Sequence, residues 1–193
     1  MNTPTKKLIA AGGALVVLVL VSCGLTGCKL PWSKGGNQGD STVTNTSTAE
    51  IPGLVPDPGE EGKRTLAGII TNPKGVRDDI YNFILINHQD SEKTREVLFQ
   101  YAKQMQGAML DASSKELSMK HADEYEKVLE CGVTLLGFDK YYQLRKNLKP
   151  LVLNTEARTM AYLQYDDQLG DGVFPDNNQG MSACNFDAAS LLN

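Results

Sequence analysis

The sequence predicts an all-α fold, a small bundle of four or five helices that ends in an irregular C-terminal tail. Three observations predict it. Apolar residues recur at helical spacing from about Val76 to Leu169. Cap residues stand ahead of those stretches: Asp90 and Ser91, Ser113 and Ser114, Asn154 and Thr155. Pro and Gly punctuate the boundaries at Asn72-Pro73, Gly75, Gly137, Pro150 and Gly170. The stretch from Thr65 to Asn193 is one domain's worth of chain and long enough for a core.

The first helix follows from Val76, Ile80, Phe83, Ile84 and Asn87, with Arg77, Asp78 and Asp79 expected on the opposite, solvated side. A second opens near Asp90 or Ser91 and aligns Val97, Leu98, Tyr101, Ala102, Met105 and Met109 on one stripe. Ser113-Ser114-Lys115-Glu116 reads as a capping box. It starts a third helix with Leu117, His121, Tyr125, Val128, Leu129 and Gly132 on one side, which Gly137 ends or bends. A fourth helix is expected from about Asp139 to Lys149, stopped by Pro150. The fifth runs from Asn154-Thr155-Glu156 to about Leu169. Thr159, Tyr162 and Tyr165 leave a strand conceivable there, and the placement of Met160, Ala161, Leu163 and Leu169 fits a helix better. Beyond Gly170 the chain is rich in Gly, Asn and Asp and reads as coil.

Ahead of this domain the chain has a different character. Lys6 and Lys7 precede an uncharged apolar run, Leu8 to Val21. That is the pattern of an export signal, and the run is shorter than the roughly 20 residues a spanning helix needs. Leu25-Thr26-Gly27-Cys28 then resembles the lipobox of bacterial lipoproteins. The resemblance implies removal of residues 1–27 and acylation of Cys28, palmitate included. A rival match, Leu20-Val21-Ser22-Cys23, would truncate the apolar run, so Cys28 is preferred. Acyl chains worth about 0.8 kcal/mol per buried methylene would make the mature protein a membrane resident. Lys29 stands where an aspartate favours inner-membrane retention in lipoproteins of enteric-type bacteria, so the resemblance leans to the outer membrane, facing the periplasm or surface, where the host has two membranes.

Residues 28–64 are expected to be the lipidated cysteine and a disordered tether. Gly35-Gly36-Asn37-Gln38-Gly39, the Ser/Thr/Asn-rich stretch Ser41 to Thr48, and Pro52, Pro56 and Pro58 cannot bury enough apolar surface to offset chain entropy. A coil of that length spans roughly 30–35 Å on average. The alternatives for it are reach towards a partner and a plain spacer.

Loss of Cys23 with the signal and acylation of Cys28 leave Cys131 and Cys184. In an oxidising compartment this even remainder favours a disulfide pinning the tail to the third helix, with buried free thiols as the alternative. Neither lies in a CxxC motif, which argues against redox exchange.

Catalytic and metal signatures are weak. His88 and His121 are the only histidines, and His121-Ala122-Asp123-Glu124 lacks HExxH spacing. No GxSxG occurs, and the serines sit mostly in the tether and at caps. Five acids follow Arg158 without an intervening Lys or Arg: Asp166, Asp167, Asp171, Asp176 and Asp187. They fail the EF-hand pattern; paired carboxylates in glycan hydrolysis are the enzymatic use open to them. Lys140, Arg145, Lys146 and Lys149 share the fourth helix with Tyr141 and Tyr142. A solvated face, an acidic partner, lipid headgroups or the Asp-rich tail are the readings of that segment. No metal, cofactor or catalytic residue is assigned. The net charge is −4, and loss of Lys6 and Lys7 would take it to −6, a poor balance for nucleic acid binding.

A small, helical, lipidated and disulfide-bonded domain resembles the pilotins of secretion systems in architecture. No pilotin motif is matched, and the long tether departs from a compact pilotin. That resemblance implies a non-enzymatic envelope protein that binds another envelope protein in assembly or as an accessory. The alternatives are an enzyme acting on cell-wall or surface glycans and a surface exclusion lipoprotein.

Overall fold

The computed structural model describes residues 51–170, 172 and 178–192. The expected signal peptide, Cys28 and the tether through residue 50 lie outside the described residues, as do Asp171 and Asp176. Five α-helices carry the fold, with no strand among the described residues: α1 Asp78–Asn87, α2 Glu92–Leu110, α3 Lys115–Leu136, α4 Phe138–Val152 and α5 Glu156–Leu169. No described helix is long and apolar enough to cross a membrane.

The second helix is the hub, packing against the other four. Its stripe is the expected one: Val97, Leu98, Tyr101, Ala102, Met105 and Met109 are all buried. The Ser91 side chain accepts from the Thr94 backbone N–H at 3.1 Å and so occupies one orphan donor of the first turn. Thr155 does the same for α5 through Arg158 N at 3.2 Å. The third helix is capped by Ser114, not Ser113: Ser114 Oγ accepts from Leu117 N at 3.3 Å. That shift places Glu116 one position too early for the expected capping box. Leu117 falls outside the core, exposed at the helix start where no other element covers it, and Asn87 is exposed at the end of α1.

A single residue joins α3 to α4. Gly137 takes φ +78°, a region costly for side-chain-bearing residues, and its N–H closes α3 on Val133 O at 2.9 Å. The tight reversal presses α4 onto α3 at Gly132, where an added Cβ would overlap the Tyr141 ring. Tyr141 is fully buried and donates to Val128 O at 3.2 Å.

Two expectations fail here for identifiable reasons. Pro150 does not stop the fourth helix, which runs on to Val152. The missing N–H removes one hydrogen bond in a last turn that is about to end. The carbonyls orphaned at the helix end are met from outside, Arg77 donating to Leu151 O at 3.0 Å and Val152 O at 2.8 Å. Arg77 and Asp78, expected on a solvated face, are 1% exposed. Arg77 is the residue before the first helical one, with extended ψ 137°, so helical periodicity does not govern where it points.

The folded part also begins earlier than Thr65. Val55 packs on the core and exchanges two hydrogen bonds with the Asn82 amide, at 3.0 and 2.8 Å. Gly62 is buried beneath Arg158. This segment of few apolar residues is held mainly through its backbone carbonyls, a mode invisible to composition.

The disulfide is present: Cys131 on α3 is bonded to Cys184, with Cα atoms 5.0 Å apart. Cys131 and Tyr141 sit in a second small core with Val97 and Ala183. The bond pins the irregular tail, whose described residues include a short 3-10 segment at Gly180–Ala183.

Candidate functional site

Tyr125 on α3 and Tyr162 on α5 belong to a wall of tyrosines that borders two crevices. The first lies between α2, α3 and α5 and has a volume of about 180 Å³. Met105, Ala108, Ala122 and Leu169 supply its apolar surface, and Tyr125, Tyr162 and Tyr165 its aromatic surface. Gln104, Glu126 and Asp166 add polar groups. Neither carboxylate has an ion-pair partner among the described residues. Tyr165 is buried, and its phenol is pushed up to about 12 by that burial and by the neighbouring tyrosines, Asp166 and Glu126. It stays protonated at neutral pH, so it acts as an apolar wall and not as a base.

The crevice exists because α5 presents small and aromatic residues to α2 and α3 at different heights. Ala161 and Tyr165 are buried one turn apart, and Tyr162 lies half-buried beside them. On the opposite walls Ala108 and Ala122 are too small to fill the space. At about 180 Å³ it falls below the roughly 300–1,000 Å³ of small-molecule sites. A cavity of about 150 Å³ holds a benzene-sized group. The crevice is therefore the size of one large side chain.

The second crevice, about 270 Å³, is lined by Tyr101, Tyr125, Tyr142, Arg145, Lys146 and Lys149. Arg145 Nη1 donates to the Tyr125 hydroxyl at 2.9 Å and its guanidinium lies 4.9 Å from the centre of the Tyr141 ring. Lys149 Nζ donates to the Tyr162 hydroxyl at 2.9 Å and stands 4.1 Å from that ring's centre. These contacts hold the cations over aromatic faces. No described carboxylate pairs with Lys140, Arg145, Lys146 or Lys149. The alternative of an internal match between this basic segment and the Asp-rich tail finds no ion pair among the described residues. Asp187 instead caps its own turn, accepting from Ala189 N at 3.1 Å.

His121 is a brace. Its Nε2 lies 2.8 Å from Asp111 Oδ2 and its Nδ1 3.2 Å from Gln104 Nε2, while the same amide donates to His121 O at 2.6 Å. Both ring nitrogens are thus used in tying the end of α2 to α3. Among the described residues no three His, Cys, Asp or Glu side chains gather as a metal site. The loop that the sequence offers for a cation lies partly outside the described residues, through Asp171.

Cys131 and Cys184 meet as expected, and Cys28 falls outside the description. Of the acidic group, Asp166 joins the crevice while Asp167 lines a shallow outer face of α5 with Met160 and Leu163. Sequence reading missed Glu126, Tyr125, Tyr162 and Tyr165 as one constellation. Tyr162 and Tyr165, one turn apart on α5, were the available signal. Comparison with protein-family models, with curated proteins and with solved structures finds no match.

Proposed function

We propose that this chain is a lipid-anchored envelope protein whose helical domain binds a protein partner, in an assembly or accessory role. The observation that carries the reading is the crevice between α2, α3 and α5, sized for one side chain and bearing Glu126 and Asp166 without a countercharge. Interfaces draw most of their energy from a few large side chains seated in such pockets. The chemistry of this one suits a long aliphatic stem ending in a cation. Met105, Ala108 and the tyrosine rings take the stem, and the carboxylates and ring faces take a Lys or Arg head group. The anchor rests on Leu25-Thr26-Gly27-Cys28 after the apolar run, which also supports placement in the cell envelope, in the outer membrane of a two-membrane host.

One observation favours a second reading. Glu126 and Asp166 share a concave site, as a glycan-acting enzyme would require. The small volume and the protonated tyrosine weigh against it, since a sugar ring, a water and two carboxylates need more room.

The test is titration of the protein with butylammonium, followed through the tyrosine and methyl NMR signals. The expected result is saturable shifts at Tyr162, Tyr165, Met105 and Leu169, reduced in Glu126→Gln and Asp166→Asn and absent with butanol. Equal shifts with butanol, or none at these residues, would refute a cation socket. Release of reducing sugar from cell-wall polymer, lost in the same two variants, would establish the enzyme instead.

A further inference from the structure

The exposed stripe of α4 combines aromatic and cationic residues in one line. Phe138, Tyr142, Arg145, Lys146 and Lys149 follow the i, i+4, i+7, i+8, i+11 spacing of one helix face. Phe138 is 65% exposed and Tyr142 45%, with their rings stacked 6.1 Å apart. Two large aromatic side chains left in water at the helix start are an unsatisfied apolar ledge. The other end carries only positive charge. The helix holds four Lys or Arg and a single acid, Asp139, in a chain whose net charge is −4. Its basic residues thus run against the charge of the molecule.

The cations are arranged, not merely present. Tyr125 and Tyr162 hold Arg145 and Lys149 from behind through their hydroxyls. Among the described residues the Nε–H of Arg145 is buried with no acceptor. The crevice beside it, about 270 Å³, is walled by Arg145, Lys146 and Lys149 and opens next to Tyr142. An anionic group entering there meets three cations.

We propose that this stripe docks on an anionic phospholipid surface, with a headgroup phosphate seated between Arg145, Lys146 and Lys149 and the Phe138–Tyr142 pair resting in the interface. Aromatic rings prefer the headgroup level of a bilayer, and juxtamembrane Lys and Arg are attracted to anionic headgroups. The proposal does not depend on the partner socket or on acylation of Cys28. An N-terminal lipid would add only a high local concentration of membrane. Such docking would lay α4 on the bilayer with the crevice between α2, α3 and α5 built from other helices.

The experiment uses the chain from residue 28 onward with Cys28→Ser, so that no acyl group contributes; its described part contains the whole core. Sedimentation is compared with vesicles of phosphatidylcholine alone and vesicles in which a third is phosphatidylglycerol. The expected result is binding only to the anionic vesicles, weakened about tenfold by Lys146→Glu and several-fold by Phe138→Ser. Both residues are exposed, and unchanged circular dichroism confirms folding. Equal sedimentation with neutral vesicles, none with either, or an unaltered Lys146→Glu variant would overturn it. Full displacement by inorganic phosphate would assign the crevice to a free anion and also overturn it.

Discussion

Arg158 on α5 donates from Nη2 to the carbonyl of Gly62 at 2.6 Å, joining parts of the chain 96 residues apart. The same guanidinium reaches Thr65 O at 2.8 Å, Leu66 O at 3.2 Å and Asn154 Oδ1 at 2.5 Å, and it is fully buried. One side chain thereby fastens the segment before α1 to the last helix. Arg158→Met should leave three carbonyls unpaired and destabilise the protein by about 3 kcal/mol or more. Urea unfolding measures this, and limited proteolysis should then cut between residues 51 and 68. A stable, protease-resistant variant would show that the strap contributes nothing.

Asp79 supplies the pH dependence of the same region. Burial raises its pKa, but hydrogen bonds from Arg77 at 2.8 and 2.7 Å, with the Arg77 charge, outweigh burial and hold it below its ordinary value. The folded pKa is depressed, so the stabilisation is complete above the ordinary value of 3.8 and is lost as pH falls through the folded one. Asp79→Asn should cost about 2 kcal/mol at neutral pH, with the gap from wild type closing as pH drops below 3.8. Urea midpoints down the pH scale check it; a gap that stays constant would contradict it.

The Cys131–Cys184 bond closes a separation of 53 residues. The chain-entropy model values such a loop at about 4 kcal/mol. The double variant Cys131→Ser with Cys184→Ser should lose roughly that stability while keeping its helices, because the main core cluster contains neither cysteine. Thermal unfolding with and without reductant supplies the comparison. If reductant leaves wild-type melting unchanged, the bond does not form in solution.

Acylation makes a separate prediction. Cys28→Ser should abolish incorporation of labelled palmitate, whereas Cys23→Ser should not. The reverse pattern would move the lipid to Cys23.

The helices were legible because their buried stripes repeat at helical spacing and three of them, α2, α3 and α5, are capped by Ser or Thr. Ser91 and Thr155 stand where expected, and five helices form from the five stretches named. The disulfide followed from counting cysteines. Two misreadings share a cause. Arg77 and Asp78 are charged residues buried through hydrogen bonds, Arg77 to Leu151 O and Val152 O and Asp78 to Thr71 and Asn72. A rule that assigns charge to the surface cannot see such partners. Residues 51–64 looked like tether because backbone bonds to distant side chains hold much of them: Asn82 binds the Val55 backbone and Arg158 the Gly62 carbonyl. The crevice was illegible because it arises where Ala108 and Ala122, unremarkable on their own helices, face Tyr162 and Tyr165 across three elements.

The central claim is that the crevice between α2, α3 and α5 seats a partner. Its most direct test places a photo-crosslinking amino acid at Leu169, on the crevice, and as a control at exposed Asp123, in the full chain within its own cells. A discrete adduct should form from position 169 and not from 123. It should disappear when Glu126→Lys and Asp166→Lys are introduced together. An adduct that survives both charge reversals, or arises equally from 123, would contradict the account.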